Sequence, residues 1–465
     1  MAACLLAFCL RASAQFETRA NASISTNPFA IAVGDFNQDG KLDLAVTSYV
    51  PTNGLTILLG NGDGTFHIGG TYSFGTQLSY VAAADFRHNG ILDLAVGDTL
   101  SNYVYVLLGN GDGTFQAAVP YQTASPSYTV DTGDFTGSGK LDIIAITESA
   151  ACECISVLPA NGDGTFGTAI TTPVPYNIGG FGLASGQFNR DEKLDIAVSG
   201  YFGSANQVDI LLGNGNGTFT PNGYYDVSLS PLSVVAADFQ GSNKKTDLAV
   251  GNLLGGSVSI LLGNGNGTFQ SAVDYSASAP TWVAAADLNG DGNLDLAVSD
   301  WSFSPGVTVL NGNGDGTFQS GVFYSAPNGS INYVAVGDFN GDHMPDMVIA
   351  DYTGNSVITL LNTGVVTFSP TTPLVFKKQA VGTTSAPQTV TLTNTGKTEL
   401  KISSMKASAQ FGMSSTCGSS VAAGANCTIS VTFSPKTQGA KSGTVTINDS
   451  ASSKPQVIEL SGTGT

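Results

Sequence analysis

Two short motifs recur along most of this chain, always in the same phase. The first is a turn that ends in phenylalanine: LLGNGDGTF at 58–66 and 107–115, VLPANGDGTF at 157–166, LLGNGNGTF at 211–219 and 261–269, VLNGNGDGTF at 309–318, and a decayed LLNTGVVTF at 360–368. Its phenylalanines, Phe66, Phe115, Phe166, Phe219, Phe269, Phe318 and Phe368, stand 49, 51, 53, 50, 49 and 50 residues apart. The second is a polar nonapeptide, fullest as DFNQDGKLD at 35–43, which begins again at Asp85, Asp134, Gln187, Asp238, Asp287 and Asp338. Two markers in one phase, seven times, require seven copies of one structural unit.

Each unit reads as four short strands. In the second copy these are VAAAD (81–85), LDLAV (92–96) after the polar loop, YVYVLLG (103–109), and a strand opening on TFQ (114–116). Four-stranded units of this length, with no helix-length pattern between them, predict an all-β chain and a seven-bladed β-propeller. Phe16-Glu17 lies 19 residues before Asp35, as Phe115-Gln116 lies 19 before Asp134. The N-terminal segment is therefore expected to supply the outer strand of the last blade, closing the ring and removing exposed edges. Beyond Phe368 the period stops. The segments QTVTLTN (388–394), LKISSM (400–405), CTISVTF (427–433), GTVTIND (443–449) and QVIELSG (456–462) predict an immunoglobulin-like β-sandwich. The expected division is an export signal over 1–14, the propeller over 15–368 and the sandwich over 369–465.

The apolar run Ala2–Leu10, followed by Ala12-Ser13-Ala14, resembles a secretory signal without its basic start. Secretion or surface display is the expectation. No segment approaches the roughly 20 apolar residues of a membrane span, so membrane insertion is not expected. Acidic residues outnumber basic ones 35 to 17, for a net charge of −18, and no basic run offsets them. Such a surface repels nucleic acid and attracts cations. Of the cysteines, Cys417 and Cys427 are expected to form a disulfide, whereas Cys152 and Cys154 would close a small strained ring and their state stays open.

The nonapeptide carries oxygen-bearing residues at alternate positions, as calcium loops do, with a glycine at the sixth for the turn. With its following strand it resembles the hairpin of the FG-GAP/VCBS repeat family, which includes the integrin α-subunit propeller. DFNQDGKLDLAV (35–46) and DLNGDGNLDLAV (287–298) carry that likeness. The segments 381–396 and 417–435 and the closing LSGTG resemble Hydin-type, choice-of-anchor D immunoglobulin-like domains. The resemblance implies calcium at three loops: Asp35, Asn37, Asp39, the Lys41 carbonyl and Asp43; Asp287, Asn289, Asp291, the Asn293 carbonyl and Asp295; and Asp338, Asn340, Asp342, the Met344 carbonyl and Asp346. His343 stands where the third set should have glycine. The other four loops are degenerate. Arg87 enters the second, Thr136 and Ser138 the third, Gln187 and Glu192 the fourth, and Lys244 and Lys245 the fifth. A side-chain cation is expected to replace the metal in the second loop, with the fourth and fifth as further candidates. The GNGDG segments read as tight turns, because Asp63 becomes Asn216 and Asn266 without compensation. The phenylalanine after each turn reads as core between blades.

On the face opposite the calcium loops the repeats diverge, so a ligand would be recognised there. Phe29, Tyr80, Tyr128, Phe181, Trp282 and Tyr333 open the inner strands, and Tyr49, Tyr103, Tyr201, Trp301 and Tyr352 lie in the loops. Tyr80, Trp282, Trp301, Tyr333 and Tyr352 are the expected ligand contacts; the competing reading is that these rings plug the axis or pack between blades. Three histidines, no nucleophile elbow and no HExxH motif argue against an enzyme. The leading expectation is a monomeric binding or adhesion protein for an extracellular glycan or protein. A polysaccharide lyase or glycosidase, or a purely structural surface protein, is the alternative.

Overall fold

The computed structural model describes residues 16–465 except 25–26, 51–53, 150–151, 175–179, 201–205, 242–244, 290–291, 303–304, 327–328, 343, 363–365, 371–373, 395–398 and 450–454. The expected signal, 1–14, lies outside the described residues. All regular elements among them are strands; no helix is long and apolar enough to cross a membrane.

The first 28 strands form seven four-stranded sheets. In the first sheet the order from inside to outside is Pro28–Gly34, Asp43–Ser48, Leu55–Gly60 and Phe66–Tyr72. Five more repeat that pattern. The last joins Ile331–Gly337, Asp346–Asp351 and Ser356–Asn362 to Phe16–Ser23, the strand expected to close the ring. Each sheet's first strand packs against the first strands of its two neighbours, and Ile331–Gly337 packs against Pro28–Gly34. Further bonds secure this seam: Asn332 Nδ2 donates to the Phe29 carbonyl (2.7 Å) and Asn27 Nδ2 to the Tyr352 carbonyl (3.0 Å).

Radial stacking explains the sequence pattern. The second strands, such as Asp43–Ser48, Asp93–Asp98 and Asp295–Asp300, are buried at every position. A neighbouring sheet covers each of their faces, so they read as continuous apolar runs rather than alternating ones. Outer strands such as Val119–Gln122 are largely exposed. Between blades, the aromatic at the loop's second position meets the phenylalanine after the next blade's turn edge to face. Examples are Phe36–Phe115 (5.5 Å), Phe86–Phe166 (5.1 Å) and Phe239–Phe318 (5.4 Å), and Phe66–Phe339 (5.7 Å) repeats the contact across the seam. Such pairs contribute about 0.5–1.5 kcal/mol each beyond area burial.

Two details differ from the sequence reading. In several blades the outer strand does not run on from the phenylalanine. Phe115 makes a single bridge to Gly109, and regular pairing resumes at Val119–Gln122. Phe368, read as the end of the propeller, belongs to Val366–Ser369, which pairs with Gln388–Asn394 in the sandwich. Its place in the last blade is held by Phe16–Ser23.

The sandwich consists of a four-stranded and a five-stranded sheet. Its core includes Val390, Leu392, Ile429, Val431, Val445 and Ile447, with Phe376, Phe411 and Phe433 packed together. Cys417 and Cys427 are disulfide-bonded. Cys154, in the propeller, is also disulfide-bonded.

Deleting Phe16–Ser23 leaves strand Ser356–Asn362 with an unpaired edge. The truncated protein should melt lower than the full chain and elute as oligomers in size-exclusion chromatography. An unchanged melting temperature with monomeric elution would remove this strand from the closing role.

Candidate functional site

Each nonapeptide joins a first strand to a second, and its last residue anchors the connection. Asp43 is fully buried, and its carboxylate accepts the Phe36 N–H (2.9 Å) and the Gly60 N–H (2.8 Å). One side chain thus ties the loop's entrance to the end of the third strand. Asp195 accepts from Phe188 and Gly213, Asp247 from Phe239 and Gly263, and Asp295 from Leu288 and Gly312, all at 2.7–3.0 Å. All seven equivalents, Asp43, Asp93, Asp142, Asp195, Asp247, Asp295 and Asp346, have no exposed surface. Sequence reading valued this residue as a ligand in three loops. Its burial in all seven makes it first a structural element.

The rest of loop one is a nest of local turns. Asp35 accepts the Asp39 N–H (3.1 Å) and the Gly40 N–H (2.8 Å); Asn37 Oδ1 also accepts from Asp39 (3.0 Å), and Asp39 from Lys41 (2.9 Å). The backbone turns left-handed at the sixth position, where Gly40 has φ 81°, and also at the fourth, where Gln38 has φ 59°. His88 and Arg190 share that fourth-position geometry, a requirement the sequence did not signal. Loop seven shares the bonds made by the fifth and seventh positions. Asp338 accepts from Gly341 and Asp342, the fourth and fifth positions, while Asp342 accepts from Met344 (2.8 Å). In loop six Asp291 lies outside the described residues, as does His343 in loop seven.

Among the described residues no group of three or more His, Cys, Asp or Glu side chains is arranged to hold a metal. In loop one the carboxylates face backbone N–H groups instead, and Asp39 also pairs with the exposed Lys41 ammonium at 3.4 Å. They still act on one another: burial first, and then the charges of Asp39 and Asp35, push the Asp43 carboxyl above its ordinary value, against its two N–H donors.

Loop two puts a cation at this buried carboxylate. Arg87 reaches Asp93 through Nη2 (2.6 Å) and Nε (3.2 Å), and Nη2 also donates to the Gly109 carbonyl (2.7 Å). Loop five uses a neutral donor, Gln240 Nε2, 3.0 Å from Asp247 Oδ1. The sequence had pointed there to Lys244 and Lys245; Lys244 lies outside the described residues. In loop four Lys193 pairs with Asp191 at 3.7 Å, while Asp195 is met by the N–H groups of Phe188, Asn189 and Gly213. Loop three is held by backbone donors on Asp134 and Asp142.

The GNGDG segments are turns. Asp63 Oδ1 accepts the Thr65 N–H and hydroxyl, and Asn216 Oδ1 does the same for Thr218, so a single acceptor oxygen suffices and Asp and Asn exchange freely. These turns also join blades: the Gly113 N–H donates to the Phe36 carbonyl and the Gly64 N–H to the Phe339 carbonyl.

On the opposite face the aromatics divide into two sets. Tyr80 is only 4% exposed and contacts Phe29, Phe181, Trp282 and Tyr333, with centroids 4.9–6.1 Å apart. Trp282 stacks on Tyr333 at 4.5 Å, and Tyr128 packs on Phe181. These rings come from six blades and meet at the axis, so Tyr80 is a core residue rather than a ligand contact. Burial pushes the Tyr80 and Tyr333 phenols up. A β-bulge at the start of each inner strand, as at Pro28/Ile31 and Leu78/Val81, lets residues one step apart in the repeat converge. Away from the axis, Trp301 packs on Tyr352 (5.3 Å), Tyr352 on Tyr49 (6.5 Å) and Tyr49 on Phe29 (4.6 Å). Trp301 is 37% exposed; Tyr201 lies outside the described residues.

If the ninth-position aspartate is structural, its loss should cost stability even where the ligand set is incomplete. Asp142→Ala strands two N–H groups, the buried one of Ala160 and the part-buried one of Thr136. It should lower unfolding free energy in urea by about 2–4 kcal/mol, with calcium or with chelator. A loss under about 0.5 kcal/mol would contradict the structural role.

Comparison with known proteins agrees with this architecture. The FG-GAP-like repeat family matches residues 35–96, 88–145, 134–198 and 242–298, and the ASPM-SPD-2-Hydin (abnormal spindle-like microcephaly-associated) family matches 363–457. No curated protein matches the sequence. Among solved structures, BBS1N in complex with ARL6DN is similar over 75% of this chain and 96% of its own, at 15% identity and a TM-score of 0.53. The periplasmic gluconolactonase PpgL of Pseudomonas aeruginosa is similar over 66% of this chain and 87% of its own, at 16% identity and a TM-score of 0.50. At these identities the likeness concerns the fold alone. The chain is an FG-GAP-repeat β-propeller protein that also carries an ASPM-SPD-2-Hydin domain.

Proposed function

We propose that this is a non-catalytic binding protein of the extracellular space, stabilised by calcium on one face of its propeller and recognising a glycan or protein on the other. The observation that carries the calcium reading is the Arg87 guanidinium on Asp93, because it puts a positive charge at the carboxylate whose equivalent in loop one is Asp43. The donor set of loop one fits a hard cation. Its side-chain ligands would be Asp35, Asn37, Asp39 and Asp43, with the Lys41 carbonyl completing the set, and each carboxylate oxygen accepting one N–H retains a second acceptor position. The same roles fall to Asp287, Asn289, Asp291, Asn293 and Asp295, and to Asp338, Asn340, Asp342, Met344 and Asp346. Calcium there would neutralise carboxylates that otherwise repel one another and stiffen the hairpin. The disulfides favour an oxidising compartment.

Recognition is assigned to the variable face because the loops of the other face are occupied in holding the ring. The aromatic row Trp301, Tyr352 and Tyr49 runs outward from the axial cluster and ends in an exposed indole. Trp282 and Tyr333 support it from the axis. A protein ligand is within reach of the fold, since its neighbour BBS1N was solved with ARL6DN bound.

Calcium at 10 mM, against sites of roughly millimolar affinity, should add about 1.4 kcal/mol of stability per site. Thermal melting in calcium and in EDTA measures this, and Asp35→Ala and Asp287→Ala should each remove part of the difference. Identical curves for the wild type would refute the calcium reading.

The recognition face is tested by capture from extracellular matrix or polysaccharide. Trp301→Ala with Tyr352→Ala should reduce capture at least about tenfold and leave calcium-dependent melting intact. Asp39→Ala should do the reverse. Equal capture by the double variant and the wild type moves recognition off this face.

A further inference from the structure

We propose that Arg87 is a resident cation that makes the second blade independent of metal, and that the third loop position selects between an ion and an internal donor. The inference rests on the calcium reading above and extends it to a loop outside the ligand sets. In loop one the third residue is Asn37, whose Oδ1 is an acceptor. In loop two it is Arg87, whose guanidinium donates to both oxygens of Asp93 and to the Gly109 carbonyl. In loop five it is Gln240, whose amide donates to Asp247. Elsewhere loop two keeps the hydrogen-bond pattern of loop one, with an amide in place of its second carboxylate: Asp85 accepts the Asn89 and Gly90 N–H groups as Asp35 accepts those of Asp39 and Gly40, and Asn89 accepts from Ile91 as Asp39 does from Lys41.

The third side chain also has the same seat in these loops, beneath the last glycine of the next blade's turn. A β-carbon on Gly113 would lie 3.4 Å from Asn37 Cβ, one on Gly164 3.1 Å from Arg87 Cγ, and one on Gly316 3.2 Å from Gln240 Cγ. From that seat an amide acceptor contributes an oxygen toward a cation, whereas an arginine carries its own charge to the buried aspartate. A tethered charge cannot be removed by a chelator. Arg87 is 18% exposed and Asp93 is fully buried, so the pair is shielded from competing solvent.

The exchange should work in both directions. Arg87→Asn restores an oxygen-only set of Asp85, Asn89 and Asp93 with the new asparagine, and Asn37→Arg installs the tethered charge in loop one. Equilibrium dialysis with calcium alone should find one more ion per chain in R87N and one fewer in N37R than in the wild type. In EDTA, R87N should melt below the wild type and recover on adding calcium, while N37R should melt at or above the wild type and gain less from calcium. A wild type that binds no calcium overturns the reading on which this inference rests. If the wild type binds calcium and R87N, folded by circular dichroism, binds no additional ion, this inference alone is overturned. Should R87N not fold in either condition, N37R decides: an unchanged ion count with unchanged EDTA melting rejects selection by the third position.

Discussion

The structure depends on one buried carboxylate repeated seven times. An aspartate with no exposed surface is costly unless its oxygens are met, and here it receives donors from two directions. One comes from the start of its own loop and one from the end of the third strand, as Asp43 does from Phe36 and Gly60. A first, second and third strand are thereby held in one register by a single side chain. Because the same group recurs as Asp93, Asp142, Asp195, Asp247, Asp295 and Asp346, the blades have a common geometry and can stack without individual adjustment.

Stacking then uses what this geometry presents. The residue after the loop's first position is phenylalanine in six blades and Leu288 in the other, and phenylalanines such as Phe36, Phe86 and Phe239 meet the phenylalanine after the next blade's turn edge to face. The turn glycine donates a backbone hydrogen bond to the carbonyl of that same residue. Hairpin, turn and interface are thus one connected unit. A blade whose polar loop has decayed keeps its place because the phenylalanine contact and the turn hydrogen bond are made by the loop's second residue. That separation allows the charge at a loop to come from different sources, Arg87 being the one supplied by the chain itself. It also leaves the opposite face free to diverge, and there the rings of six blades fill the axis.

Much of this was legible in the sequence because it repeats. Seven phased copies of two motifs imply seven sheets, the spacing of Phe16 from Asp35 implies the strand that closes the last of them, and the loss of period after Phe368 implies a second domain. Each of these signals needs only the order of residues along the chain and a comparison of one copy with the next. The loops themselves were less legible. A ligand pattern and a structural pattern share the same aspartate, and only its complete burial in loops such as that of Asp142 separates the two roles. Nor does the string DFQGSNKKTD reveal that Gln240 donates to Asp247.

What the sequence determined by itself is therefore the number, order and composition of the repeated units, since periodicity survives without knowledge of how units meet. What tertiary structure decided is everything that joins residues from different copies. Tyr80, Phe181, Trp282 and Tyr333 are about 50 to 250 residues apart, and Phe181 stands one step earlier in the repeat than the other three, yet they meet around one axis. The same kind of aromatic is core in Tyr80 and partly exposed in Trp301. The physical reason is that burial is set by distance from the ring's axis, and that distance is a property of the closed assembly of blades rather than of any stretch of chain.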